Sequence, residues 1–442
     1  MSLDLGSFVT ASQLTSTGER SDLALATGLG LTPTGLVEHP SFFSGFAAFP
    51  GVLAAGILAV ADLASTTYRE AGVFRDPVIT ANGDRLRLES FSGENGVHAR
   101  LDLLPEGIDT ADVGHGTTNV DVNAALRLAL ASLPRNELLH LDVGGEGLHV
   151  ATLEATHVER PVDLPERWVR GLAEVGGVAH AMTPLIRLDA ATALAFLGTI
   201  PAGIPGPTLA LGAAGGRLRP MPASRAQVVV AGTSRLSSLT RLGRHLHALE
   251  VFTHPAGYSG WVAHLPGARL TLLLTPEVYR GFSGEGQLLE SLQQAGAAEV
   301  TATPVQRVLE HLAWEARIEA AALVTATGLS AAQVEGALAI LASSGRIGFD
   351  LVDQHWFHRE LPLDISAIER RHPRLVKAQR LVAEGAVRVD PTSQHPRWAV
   401  TSSGQDRWVT LDPQECTCEW WARYRGGRGP CAHVVAVQLS TN

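Results

Sequence analysis

Cysteine and lysine are nearly missing from this chain of 442 residues. There are three Cys, and of 35 basic side chains only Lys377 is a lysine. So few cysteines exclude a disulfide-stapled scaffold, and an odd number would leave one unpaired. One lysine, with no glycine-rich loop before it, excludes a P-loop ATPase. Neither a Gly-x-Ser-x-Gly elbow nor a His-Glu-x-x-His pair is present, which removes the common hydrolase signatures. Long apolar runs are also lacking: the best, Gly51 to Ala64, is interrupted by Asp62 and is too short to span a bilayer, so it reads as a buried helix. Met1–Thr10 has no basic residue, and no secretory signal is expected there. The excess of Arg over Lys reads as the codon bias of a GC-rich genome, so arginine content is poor evidence of a basic surface.

The length suits two to four domains, and 45% hydrophobic with 18% charged residues is ordinary for globular proteins. The net charge of −9 argues against a protein that coats nucleic acid over its whole surface. Residues 364–442 carry 11 Lys and Arg against 8 Asp and Glu, while the preceding 363 residues carry 24 against 36. This places any electrostatic affinity for phosphate at the C-terminal end.

The pattern along the chain predicts a multidomain α+β protein. The first forty residues, rich in Ser, Thr and Gly, read as short helix and loop. Phe42, Phe43, Phe46 and Phe49 precede a helix over Val52–Tyr68, completing an N-terminal helical region, 1–70. Alternation over Arg75–Leu104 predicts strands turning at Asn82-Gly83, followed by a helix over Asn123–Leu133 and strands over Leu138–Leu153. A helix over Arg235–Ala248 and strands to Leu274 suggest a second copy. The likeness of Leu164–Gly171 to Thr275–Gly281 supports a duplicated unit, 71–195 and 196–300. Over 301–363, helices, a turn at Thr327–Ser330, a helix over Ala331–Leu341 and an alternating Arg346–Phe357 follow the order of a winged helix. Its second helix offers only Gln333 and Glu335, so packing or protein contact is expected there rather than base reading. His355 and His358 read as packed histidines in preference to metal ligands.

All three cysteines fall in the last thirty positions, as Cys416-Thr-Cys418 and, twelve residues later, Cys431-Ala-His433. Three thiolates and an imidazole fill the tetrahedral shell of Zn2+ and leave no position for a catalytic water. A helix would turn Cys416 and Cys418 about 200° apart, so that pair belongs on β or irregular structure. Gly426, Gly427, Gly429 and Pro430 break the chain before a short helix over Cys431–Leu439.

Cys-x-Cys, a spacer and Gly-Pro-Cys-x-His before a small apolar helix resemble a SWIM zinc finger over Trp408–Val437, with strands over Ala386–Val400 and a domain over 364–442. The resemblance implies a zinc-stapled module that binds DNA or protein without catalysis. The whole chain is similar to bacterial SWIM proteins that accompany MoxR-type AAA ATPases and von Willebrand A proteins. Between the ligand pairs, Trp420, Trp421 and Tyr424 interleave with Arg423, Arg425 and Arg428. Such aromatics stack on unpaired bases while guanidinium groups meet phosphates. They also serve to close a small core, and one Trp is expected to do so. The expectation is therefore a non-enzymatic, cytoplasmic zinc protein. Its finger binds DNA, single-stranded or distorted and in a salt-dependent way, or else a protein partner, as an adaptor of such an ATPase system.

Overall fold

The computed structural model describes residues 13–17, 20–24, 29–32, 35–38, 41–64, 77–120, 122–134, 137–144, 147–153, 155–159, 166–201, 206–282, 302–312, 315–343, 345–359, 373–393, 395–425 and 429–441. Where short helix and loop were expected, residues 13–38 pair as two hairpins: β1 (Gln13–Thr17) with β2 (Arg20–Ala24), and β3 (Leu29–Thr32) with β4 (Gly35–Glu38). Thr and Leu suit a pleated surface, and two residues separate the strands of each pair, the spacing of a tight hairpin.

From residue 41 the chain repeats a strand, a helix and a three-strand meander. The first unit is β5 (Ser41–Ala47), α1 (Pro50–Ala64) and β6 (Val78–Asn82), β7 (Leu86–Phe91) and β8 (Val97–Leu103). After β9 (Ile108–Val113) comes the second: β10 (His115–Asn119), α2 (Ala124–Ala131) and β11 (His140–Gly144), β12 (Gly147–Ala151) and β13 (Thr156–Glu159). The two units exchange their first strands. β5 pairs with β11 and β10 pairs with β6. After α3 (Glu166–His180), a third unit keeps its own first strand: β14 (Thr183–Asp189) and α4 (Ala190–Leu197) are followed by β18 (Ala248–Thr253), β19 (Ser259–Leu265) and β20 (Ala268–Leu274), and β14 pairs with β18.

β20 then joins β8 in register from Ala268 opposite Leu103 to Leu274 opposite Val97. This closes an eight-stranded antiparallel sheet, β10-β6-β7-β8-β20-β19-β18-β14, beside a five-stranded one, β13-β12-β11-β5-β9. The sheet thus takes strands from both sides of residue 195. The likeness between Leu164–Gly171 and Thr275–Gly281 does not mark equivalent positions: Glu166–Gly171 opens α3, whereas Thr275–Gly281 is bend and turn, and Leu164 and Pro165 lie outside the described residues. The expected helix over Arg235–Ala248 shrinks to one turn, α5 (Ser237–Arg241), with 3-10 turns on either side.

α1 is apolar nearly all round because it is enclosed: Leu53, Ile57, Val60 and Ala61 are each at most 1% exposed. Gly56 lets it press on the sheet, since a Cβ there would lie 2.7 Å from a Leu101 methyl. The helix ends at Ala64, and Tyr68 lies outside the described residues. Among the described residues no single helix is long and apolar enough to cross a membrane.

The segment after residue 301 follows the expected order: α6 (Ala302–Glu310), α7 (Ala320–Thr327), α8 (Ala331–Ser343) and a hairpin of β21 (Ile347–Asp350) with β22 (His355–His358). Ser330 and Gln333 cap α8 reciprocally: the Ser330 amide donates to Gln333 Oε1 at 3.1 Å, and the Gln333 amide donates to Ser330 Oγ at 3.2 Å. Gln333 is thereby engaged at the helix start. Val334, Ala337, Leu338 and Leu341 share a buried core with Trp168, Leu172 and Val175 of α3 and with Trp356 of β22. These helices therefore pack on α3 and on the hairpin that follows them.

The hairpin is fastened to the large sheet by buried charge. Asp350 accepts from Arg100 at 2.9 Å and Arg269 at 3.3 Å, Arg85 bonds Asp353 at 2.9 Å, and Arg359 bonds Glu89 at 2.6 Å. Arg87 lies over the Phe357 ring, 4.3 Å from its centroid. Arg87, Arg100, Arg235, Arg269 and Arg359 are all buried, so part of the arginine in this chain is internal.

Candidate metal centre and its arginine-bearing helix

Among the described residues after 359 come α9 (Pro373–Ala383) and a four-stranded sheet of β23 (Val387–Val389), β24 (Trp398–Ser402), β25 (Gln405–Leu411) and β26 (Gln414–Cys416). Their core is small: Ala378, Leu381, Val400, Val409 and four residues of the last helix, α11 (Ala432–Thr441), surround the three cysteines. A core of this size needs a staple.

Cys416 ends β26, and Cys418 is the N-cap of α10 (Glu419–Tyr424), where Sγ accepts the Trp421 amide at 3.4 Å. Cys431 immediately precedes α11, and His433 lies in its first turn. The first pair thus sits on β and irregular structure and the second at a helix start, as the spacing required. All four side chains are buried, and their ligand atoms lie within 4.8 Å of one another. His433 Nδ1 is 3.8 Å from Cys416 Sγ and 3.9 Å from Cys431 Sγ. With Zn–S near 2.3 Å and Zn–N near 2.0 Å, the edges of a tetrahedral shell are roughly 3.5–3.8 Å, so the two Nδ1–Sγ edges are close to it and the widest edge would contract by up to about 1 Å to hold Zn2+.

Residues 408–442 match the family model of the SWIM zinc finger. That segment is a SWIM zinc finger. Cys416, Cys418, Cys431 and His433 fit one structural Zn2+. No curated protein matches the chain. Among solved structures, a PCNA2–PCNA3 complex from Sulfolobus tokodaii has 9% identity and a TM-score of 0.41, covering 53% of this chain and 98% of that one. Proliferating cellular nuclear antigen from Entamoeba histolytica has 10% identity and a TM-score of 0.36, covering 53% and 99%.

The cage has the electrostatics of a cation site. Hydrogen bonding to the Cys418 sulfur, then to Cys431, together with burial, holds the Cys416 thiol protonated well above its ordinary range. The same thiol donors, Cys416 first, favour the Cys418 thiolate. Three buried thiolates this close repel one another unless a dication sits among them, so metal binding to the SWIM finger must release protons. His433 Nδ1 faces the sulfurs, which leaves Nε2 buried and without a hydrogen-bond partner among the described residues. His355 and His358 enter no cluster: among the described residues the one group of three or more close metal-ligand side chains is at the finger. Burial first, then Arg346 and His115, push the His358 pKa down to about 3, keeping it neutral.

The segment between the ligand pairs is largely helical rather than a loop. Trp420 and Trp421 are both half-buried against the finger core, so both serve it, where one had been expected to. The face of Trp420 is taken by Arg374, whose guanidinium lies 4.8 Å from the ring centroid and donates to the Pro430 carbonyl at 2.8 Å. Trp420 also packs on Tyr424 at 4.5 Å between centroids, and Arg280 of the body lies 5.9 Å from the Tyr424 centroid. Arg423 and Arg425 are exposed, while Arg428 lies outside the described residues. Sequence reasoning missed Arg374 and Arg280 because each lies far along the chain from the aromatic it covers.

Proposed function

We propose that the SWIM finger binds nucleic acid, preferentially single-stranded or distorted DNA, through Arg423, Arg425 and Arg428, and that the chain is a non-enzymatic cytoplasmic binding protein. The observation that carries this reading is the exposure of Arg423 and Arg425 on and just after a helix anchored by a metal ligand, with no carboxylate paired to either among the described residues. Guanidinium groups held on a rigid element without acid partners are suited to phosphate. Arg374 already covers Trp420, and Trp420, Arg280 and Arg423 crowd the Tyr424 ring, so base stacking would fall mainly to Trp421. The closed shell of four protein ligands argues against metal-assisted hydrolysis.

The test is salt-dependent anisotropy of labelled single- and double-stranded oligonucleotides with the metal-loaded protein. Binding should weaken as salt rises, and R423A/R425A/R428A should reduce the slope of log affinity against log salt by about two, at roughly 0.7 per lost single-strand contact. If no affinity is seen at low salt and the same substitutions alter only co-purifying proteins, the finger is a protein adaptor, of the kind that serves an ATPase system.

A further inference from the structure

A charge count by domain conceals a second basic region. Between Asp189 and Glu250 there are sixty residues with no Asp or Glu and six Arg, leaving 29 of the 35 basic residues, with all 44 acids, for the rest of the chain. Arg235 is internal: its guanidinium donates to the Ala231 and Thr275 carbonyls, to Thr275 Oγ1 and to the Gly96 carbonyl. Arg241 is paired with Asp62, and Arg244 donates to His245.

Arg217, Arg219 and Arg225 are different. They lie on a three-stranded appendage, β16-β15-β17, formed by β15 (Leu209–Ala214), β16 (Arg217–Pro220) and β17 (Val228–Val230). Leu218 is 7% exposed and faces the core, so strand alternation turns Arg217 and Arg219 to the outer face, about 7 Å apart. They stand opposite Ala214 and Gly212, which bring no charge. Arg225 is exposed on the single turn Ala223–Arg225 that leads to β17. The appendage is firmly built: Gln227 Oε1 accepts the Ala213 amide at 2.8 Å, and Thr253 of the large sheet donates to the Gln227 carbonyl at 2.9 Å. None of the three arginines forms an ion pair among the described residues. The acid that senses Arg217 is Asp189, whose carboxylate is held chiefly by Thr192.

Three unpaired guanidinium groups on one rigid appendage, in a chain of charge −9, are complementary to a polyanion. The surface offers little to a peptide, since its one large exposed apolar side chain is Val229. We propose that the Arg217, Arg219 and Arg225 surface of β15–β17 is a second contact for the phosphate backbone of a nucleic-acid strand. This inference rests on the finger being a nucleic-acid module.

The experiment compares R217A/R219A/R225A with R423A/R425A/R428A and wild type, all full-length and zinc-loaded, on short (about 8-nucleotide) and long (about 30-nucleotide) single strands and on polyglutamate. The appendage variant should bind the short strand as wild type does, while on the long strand its salt slope falls by about two. The finger variant should lose affinity for both lengths. If long-strand affinity and slope are unchanged in the appendage variant while the finger variant weakens, the second contact is overturned and the finger reading stands. If neither variant changes binding, or wild type binds no strand, both fall. If the three arginines alter only polyglutamate binding, the surface receives an acidic protein segment and the proposal is overturned.

Discussion

Asp350→Asn should destabilise the protein far more than the loss of a surface ion pair, because of what surrounds this carboxylate. Asp350 is fully buried, and its Oδ1 accepts the Val352 and Asp353 amides at 2.9 Å each. Its Oδ2 faces Arg100 at 2.9 Å, Arg269 at 3.3 Å and Arg85 at 3.6 Å. Asparagine preserves the first set of contacts but turns an N–H donor toward three guanidinium groups. The cluster of Arg85, Arg87, Arg100 and Arg269 against Asp84, Asp102, Asp350 and Asp353 is balanced in charge, and the variant leaves one buried positive charge uncompensated. Breaking one partner of such a buried set costs about 3–5 kcal/mol. Arg388→Ala is the control: its partner is Asp406, the two are 60% and 42% exposed, and about 0–1 kcal/mol is expected. Urea unfolding followed by tryptophan fluorescence reads both, and hydrogen exchange of the β21–β22 amides reports whether the hairpin loosens. A loss of under about 1 kcal/mol for Asp350→Asn, equal to the control, would refute the idea that the network fastens the hairpin.

Three further outcomes follow from the geometry of the finger, of His358 and of Gly107. Metal analysis should find one Zn per chain and a clear loss in Cys431→Ser, with exchange protection falling in residues 373–441 and retained in the large sheet; full retention of metal would sink the ligand assignment. His358 is 2% exposed with a pKa near 3, below the ordinary 6.5, so the unfolded chain binds its proton first and stability falls as pH drops below about 6.5. His358→Gln should flatten that limb between pH 6 and 4 by up to about 1.4 kcal/mol per pH unit, and superimposable stability curves would exclude it. Gly107→Ala places a Cβ 2.1 Å from the Gly267 carbonyl oxygen, a backbone atom that cannot rotate away, and a cost of about 1–3 kcal/mol should appear in thermal unfolding; an unchanged Tm would show that the two loops can separate freely.

Local features were legible in the chain before folding. The turn at Asn82-Gly83, the helix start near Asn123, the boundary at Thr327–Ser330 and the alternation over Arg346–Phe357 all depend on side chains within a few residues of the backbone groups they serve. The first forty residues misled because Ser, Thr and Gly mark loops by composition, yet Thr and Leu pair readily as strands when a turn brings them together. The exchange of β5 and β10 between units was not legible, since apolar alternation tells a strand to pair without naming its partner.

The sequence by itself determined the zinc staple. Two ligands one residue apart, then two more at a helix start, meet by local geometry once a short sheet and one helix form. Tertiary structure alone decided which arginines are internal and which face solvent. Composition could not separate Arg87, Arg100 and Arg359, enclosed under a distant hairpin, from Arg217, Arg219 and Arg225 on an outer sheet. That distinction depends on contacts between residues up to 270 positions apart, as in the Arg359–Glu89 pair, and only a folded chain brings them together.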